Sequence, residues 1–553
     1  MDPNSEVVIP KANFRYFRLP QTVVSRFVVR NSIRSAALWA LIFGIYVASK
    51  GIGYATAYPT VASRIKVAAS LGNNAGFNAI LGIPHSLSTV TGEITWNTLI
   101  VMTIIGSVWA YLKATKTFRG EEDAGRWELL LSGQTTARMA CINALAGLSV
   151  SLVVMYLVSS ITFVVIGKDH NVDYSVTAGL FFALAATAGA AMFMAVGAVM
   201  SELMPTRSRA AGVSTAILGL FFLIRAAADA TKLHWLLNVT PIGWIDKLQP
   251  LYGSQPIWLL PIIAFIVVLV VITVVLAGRR DLGDSMFADK DTSKPHNRLL
   301  NAPIGLAVRL NRGVTISWLV GIFVATVFYS LLTKAATSLL SDSPGLKKDF
   351  SAATSLLHTN LDLIWLGITF YLMMMLIMAY VASAVGAVRK DEADGYVDNL
   401  LVCKVSRMRW LWGRISLIVG GIVLAGLVVS LGAWVGIISE DTGISFHQLL
   451  IAGVNVLVPA VFILGLGIFA LGFMPRLTTV IAYSAIAWSF LISILKSGLH
   501  LNHWILDTSI LQHVTLAPAT NPVWRTAIVL VVLGILLAVI GALRFNGRDL
   551  QSE

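Results

Sequence analysis

Twelve long apolar stretches dominate this chain and limit what it can fold into. Each holds about 20 mostly apolar residues, the number a helix rising 1.5 Å per residue needs to cross a hydrocarbon layer of about 30 Å. They lie near 36–55, 97–116, 140–166, 176–200, 212–230 and 257–277, and again near 315–335, 361–385, 411–438, 449–472, 477–497 and 524–543. The fold class expected is therefore an all-α polytopic membrane protein. Composition agrees. Of 553 residues 56% are hydrophobic and 12% charged, against about 25% charged in a soluble domain. So few charges cannot cover several soluble domains, and the surplus apolar surface must face lipid.

The net charge of +13 is not gathered in one basic domain, so it does not point to nucleic acid. Two distant cysteines, Cys141 and Cys403, exclude a disulfide scaffold. The first 35 residues are polar and basic, with no apolar signal segment, and are expected to stay in the cytoplasm. Arg26, Arg30 and Arg34 recur every four residues, opposite Val23, Val24, Phe27 and Val28. That pattern predicts an amphipathic helix lying along the inner membrane surface. Twelve spans then return the C-terminus to the same side. Cation distribution supports the orientation. The external segment 56–96 carries only Arg64 and Lys66, whereas the loop 278–314 carries Arg279, Arg280, Lys290, Lys294, Arg298, Arg309 and Arg312.

An internal repeat appears at an offset of about 270 residues. Arg119-Gly-Glu121-Glu122-Asp-Ala-Gly125 follows span two, and Arg389-Lys-Asp391-Glu392-Ala-Asp-Gly395 follows span eight. Both fit R-x-x-E-x-x-G-x-x-x-x-L-L. Met204-Pro205 and Met474-Pro475 follow spans four and ten, His234-Trp235 and His503-Trp504 open matching external segments, and Arg280-Asp-Leu and Arg548-Asp-Leu follow spans six and twelve. The order implies two tandem six-helix repeats of the same orientation about a pseudo-twofold axis. The expected divisions are a cytoplasmic segment 1–35, a first half 36–278, a basic linker 279–314, a second half 315–543 and a cytoplasmic tail 544–553.

The repeated loops hold more acid than a turn in water needs. Anionic headgroups repel acids, so a short amphipathic helix carrying them suits docking to a protein partner. In these loops the chain resembles ABC-2-type transporter permeases. Its twelve-span layout resembles the actinobacterial exporters of polyketide antibiotics, the tetronasin-resistance type. The stretches after the Leu pairs, Ser132–Thr136 and Val402–Ser406, lack the Pro often found there. The resemblance implies an ABC-2-type exporter fold and a permease subunit gripped by two copies of a separate ABC ATPase. It implies coupling roles for Arg119, Glu121, Glu122, Gly125, Met204 and Pro205, and for Arg389, Asp391, Glu392, Gly395, Met474 and Pro475. It further implies that 231–256 and 498–523 are short re-entrant helices on the outer side, and that the substrate is a hydrophobic drug, antibiotic or lipophilic metabolite.

No nucleotide engine is encoded. The only Gly-Lys pair, Gly167-Lys168, has no glycine five residues before it, so the phosphate-loop pattern is missing. No cofactor or metal is expected on this chain; ATP and Mg would belong to the partner subunits. Inside the spans Arg225 and Asp229 are spaced to pair at i, i+4. Span eight carries Tyr371, Met374, Met375 and Met378, whose thioethers adapt to varied apolar ligands. With Phe222 and Trp488 these residues are candidates for a substrate pathway. A proton-coupled secondary carrier of twelve helices has the same count and pseudo-symmetry, and Phe118–Arg126 faintly echoes its loop signature. Against it stands the near absence of buried acids in the spans. A membrane-embedded enzyme would need an acid, base or metal constellation not seen here.

Overall fold

Proline is scarce inside the apolar stretches, and each stretch folds as a helix. The computed structural model describes residues 20–72, 78, 81–131, 136–230, 233–280, 303–334, 337, 360–402, 405–438, 442–498 and 502–550. Among the described residues twelve helices are long and apolar enough to cross a membrane. The chain divides into two compact units, Met1–Thr292 and Ser293–Glu553.

In the first unit the long helices are α1 (Pro20–Ala57), α3 (Val90–Thr115), α5 (Ala137–Gly167), α6 (Val176–Leu203), α7 (Arg207–Ala230) and α9 (Leu259–Ala277), with the shorter α2 (Val61–Gly72), α4 (Arg126–Leu131) and α8 (Pro241–Asp246) between them. The second unit has α10 (Pro303–Leu331), α11 (Leu361–Ala393), α12 (Tyr396–Val402), α13 (Arg407–Ile437), α14 (Phe446–Phe473), α15 (Thr478–Gly498) and α16 (Trp524–Gly547). Side-chain caps start several of these. Thr136 and Ser406 accept from the backbone N–H of Met139 and Arg409, and Ser175 and Ser445 accept from Ala178 and Gln448. Each bond satisfies one of the free donors of a helix N-terminus.

Packing follows one scheme inside each unit. In the first, α1 lies along α5, α3 along α6, and α9 along α6. In the second, α10 lies along α13, α11 along α14, and α16 along α14. Lipid gives helices no hydrophobic reason to associate, so small residues set how closely they approach. Alanine and glycine line the buried face of α6, and glycines bring α14 and α16 into backbone contact. A Cβ on Gly465 would stand 2.0 Å from the Gly534 carbonyl oxygen.

Four expectations are corrected. The basic segment before span one is not a separate surface helix in its described part. α1 runs unbroken through 38 residues, about 57 Å at 1.5 Å per residue. Its Val24 and Val28 are buried, and Val28 packs at Gly147 on α5, while Arg26, Arg30 and Arg34 are exposed. No breaker stands between residues 21 and 43, so the helix continues as long as it has a face to bury. Lys11, Arg15 and Arg18 lie outside the described residues. The linker is shorter than expected because α10 starts at Pro303, a residue whose fixed φ suits the first helical turn; 281–302 lie outside the described residues.

The acidic motifs are not loops throughout: α11 carries Arg389, Asp391 and Glu392 on its last turns. The segments 231–256 and 498–523 hold only short helical turns among their described residues: His234–Asn238, Pro241–Asp246, His503–Leu506 and Ile510–His513. Where short re-entrant helices were expected, the described helices are of four to six residues. Cys141 is a buried free thiol, and Cys403 lies outside the described residues.

Candidate functional site

The motif of the first unit starts at the end of α3. A π-helical turn, Lys116–Gly120, continues the helix, and a single α-turn, Glu121–Asp123, follows it. Gly125 then takes φ +70°, a left-handed conformation that costs a Cβ-bearing residue and that glycine adopts freely. Its N–H bonds the Glu122 carbonyl at 2.8 Å. α4 leaves from this turn. It is anchored by buried Trp127, whose indole N–H donates to the Thr117 carbonyl and whose ring stacks on Phe118.

Three sequence landmarks of this unit meet here. Arg119 donates to the Pro205 carbonyl at 2.7 and 3.1 Å and lies 3.4 Å from Glu122 and 3.1 Å from Asp123. Arg280, from the Arg-Asp-Leu motif beyond α9, donates both terminal N–H groups to the two Glu122 oxygens at 2.6 Å each. Its Nε donates to Glu202, at the end of α6. Burial opposes the Arg280 charge, but the bonds to Glu122 and Glu202 outweigh it and raise its pKa above the ordinary value. One guanidinium thus ties together the ends of α3, α6 and α9.

The second unit repeats the arrangement. Arg548 donates to the two Glu392 oxygens at 2.7 and 2.8 Å, and Arg389 stands 3.5 Å from the same carboxylate. Gly395 has φ +73°, and its N–H bonds the Glu392 carbonyl at 3.1 Å. Arg407 at the start of α13 donates to the Arg548 carbonyl, and Arg548 lies over the Phe545 ring. Pro475 is buried beside Met474, which is exposed. Where α6 carries Glu202, α14 carries Gly472, two residues before its Met-Pro pair as Glu202 is before Met204-Pro205. Gly472 lies against the backbone of Gly541, so that helix pair meets without an acid between them.

These contacts correct the expectation that Glu122 and Glu392 are held out to a partner. Their side chains are 7% and 0% exposed and are consumed by arginines of their own chain. A buried carboxylate is tolerable only with a partner of this kind. The outward residues lie on either side of the glycine. In the first unit they are Asp123, Ala124, Arg126 and Glu128, and in the second Asp394, Tyr396, Asp398 and Val402. The remaining acids of the motifs, Glu121 and Asp391, pair with Arg126 and Arg414 respectively. The bond to Glu121 raises the pKa of Arg126.

The pathway candidates fall in both units, three in the first and five in the second. Met374 and Met378 are buried in the core of the second unit, and Met375 packs against that core. The Tyr371 hydroxyl bonds Ser493 at 2.6 Å. Trp488 is exposed and donates to the Thr508 hydroxyl, and Phe222 packs on the core of the first unit. Arg225 and Asp229 do form the expected i, i+4 pair at 2.8 Å, joined by Asp246 of α8 at 2.9 Å. Asp229 and Asp246 line a cavity of about 260 Å³ with Trp96, His85 and Tyr252.

Buried acids in or at the ends of the spans are more numerous than the sequence analysis allowed. Glu93, Glu202 and Asp362 join Asp229; Asp362 takes bonds from Lys334 and Thr337. Sequence reasoning also missed Asp246 and Arg414. It saw Arg280 and Arg548 as landmarks without seeing what they bind.

The family model described as "Multidrug efflux system permease Rv1217c, C-terminal domain" matches residues 34–278 and 300–546. A similar protein is the multidrug efflux system permease protein Rv1217c of Mycobacterium tuberculosis. It is 26% identical over 537 residues, covering 95% of this chain and 94% of that protein.

Proposed function

The chain belongs to the Rv1217c family of multidrug efflux permeases and is a multi-pass protein of the bacterial inner membrane; on that premise we propose that it is the transmembrane subunit of an ATP-driven ABC exporter. Two copies of a separate ATPase would dock on the motif ends of the two units and drive hydrophobic drugs, antibiotics or lipophilic metabolites outward. In this reading the units are tandem repeats of one orientation with both termini cytoplasmic. The matching helix packing and the cation-rich loops on the motif side support that arrangement.

One observation carries the proposal. Each unit ties the ends of its membrane helices to a glycine turn and a short exposed helix through one buried carboxylate–arginine brace. An outside subunit pushing on that helix would move several membrane helices together, because the brace transmits displacement instead of absorbing it. Glu122 and Glu392 are thus positioning residues, and the exposed residues beside them would make the contact. The chain has no phosphate loop, so ATP and Mg would be held by the partner.

A proton-coupled carrier is a second reading, favoured by one feature. Glu93 is buried, and while its Oε1 accepts from Asn97, its Oε2 has no hydrogen-bond partner among the described residues. Efflux of a fluorescent lipophilic dye from cells carrying the chain and its neighbouring ATPase gene separates the two. ATP depletion with the proton gradient intact is expected to stop efflux, and collapse of the gradient with ATP present is expected to spare it. The reverse pair of results would favour the carrier and end the ATPase proposal.

A further inference from the structure

Near the motif end of the second unit, α10, α11 and α13 enclose a second cavity, of about 70 Å³. On such a scale a water needs roughly 10–15 Å³, so the space suits a compact polar group. Its wall has Asn311, Thr315, Ser383 and Tyr380 as side chains with polar atoms, Thr315 bonded to Tyr380 and Ser383 to Tyr483, with Trp318 and Leu417 as apolar ones and Arg414 as its one formally charged member.

Arg414 is 8% exposed, and among the described residues its guanidinium donates to a single acceptor, Asp391. A guanidinium has five N–H donors, so Arg414, which also lies over the Trp410 ring at 5.9 Å, keeps donors to offer to the cavity it lines. Arg414 stands seven residues into α13, about 10 Å from its start, and Val314 at the rim is exposed. That depth is where a lipid's polar head gives way to its chains.

We propose that this cavity binds the anionic headgroup of an amphiphile. A phosphate or carboxylate would accept from Arg414, Asn311, Thr315 and Ser383, with the hydrocarbon running along Trp318 and Leu417. Among the described residues the first unit lacks this arginine. Counting from the caps Thr136 and Ser406, the position of Arg414 is taken by Ala144, and Glu121 pairs instead with exposed Arg126. Because Asp391 adjoins Glu392, an anion drawing on Arg414 would loosen the hold on the motif of this unit alone. That regulatory half rests on the coupling reading above; the binding half does not.

The test uses the full chain, with its co-purifying subunits, in nanodiscs of phosphatidylcholine doped with phosphatidylglycerol. Retained lipid is counted by native mass spectrometry. Preferential retention of phosphatidylglycerol is expected, with at least a tenfold loss in Arg414→Gln and a several-fold loss in Ser383→Ala. Dodecyl phosphate should compete, and inorganic phosphate alone should not. Asp391→Asn frees the arginine without touching the wall and should increase retention. If Arg414 served only the fold, Asp391→Asn would instead lose retention as Arg414→Gln does.

ATP-dependent movement of a fluorescent phosphatidylglycerol between leaflets would identify the anion as cargo, and retention without movement would identify a resident lipid; either supports the site. Equal retention of the two lipids, or Arg414→Gln behaving like the parent chain, would overturn it. Retention that responds to these variants while ATP hydrolysis ignores the lipid would uphold the site and reject only its tie to coupling.

Discussion

Glu122 and Arg280 stand 158 residues apart in the chain and bind each other through two N–H···O bonds of 2.6 Å. Glu392 and Arg548, 156 residues apart, do the same in the second unit. In each case the acid lies just where the second long helix of its unit ends and the arginine follows the last, so a single contact joins those two helix ends across more than 150 residues.

Arg280→Ala should therefore destabilise the first unit well beyond a surface change. Removing one partner of a buried pair strands the other, at a cost of about 3–5 kcal/mol. Here two carboxylates are affected at once: Glu202 loses the arginine that binds it, and Glu122 keeps Arg119, 3.4 Å away, but loses both Arg280 bonds. The check is thermal unfolding of the purified protein. Arg548→Ala, which leaves Glu392 with Arg389 at 3.5 Å and touches no second carboxylate, should cost less, and equal losses would show that Glu202 contributes nothing.

The exposed residues are expected to carry the docking that Glu122 and Glu392 do not. Glu128→Lys with Asp398→Lys reverses charge on the outward faces of α4 and α12. It should cut ATPase co-purification about tenfold or more while the melting temperature stays within the small range of surface substitutions. A double variant that keeps full assembly would remove these helices as the docking element.

Asp229→Asn should destabilise more than Asp246→Asn. Both acids bind Arg225, whose side chain is fully buried, but the Asp229 side chain is 2% exposed and that of Asp246 is 22% exposed. Water can replace part of what Asp246 supplies, whereas at Asp229 the loss falls in the interior, where breaking a pair costs most. Melting temperatures of the two variants, measured side by side, decide it.

Gly465→Ala is expected to part α14 from α16. The added Cβ would meet the Gly534 carbonyl oxygen, which is backbone and cannot rotate away. Overpacking of this kind costs about 1–3 kcal/mol. Gly420→Ala, at a site with open space around it, is the control and should be silent or slightly stabilising.

Much of the architecture was legible because it depends on local composition. The span count required only that about 20 apolar residues recur, and the i, i+4 pairing of Arg225 with Asp229 only that a helix turns every 3.6 residues. Helix ends were read less well. α1 and α11 run past the apolar stretches, because buried contacts extend a helix wherever no glycine or proline stops it; the Val28–Gly147 contact does this for α1.

The sequence by itself determined that twelve helices form, in what order, and where the glycine turns at Gly125 and Gly395 fall, since each of these follows from residues close together in the chain. Only the tertiary structure decided which charge meets which. Nothing near Glu122 marks Arg280 as its partner, nothing near Asp229 marks Asp246, and nothing near Asp391 marks Arg414, because these pairs form where packed helices bring distant ends together. Low dielectric then made the choice consequential. An acid that would be a solvated loop charge in water must find an arginine once the packing buries it, and that turned the two motif glutamates from an outward-facing surface into an internal brace.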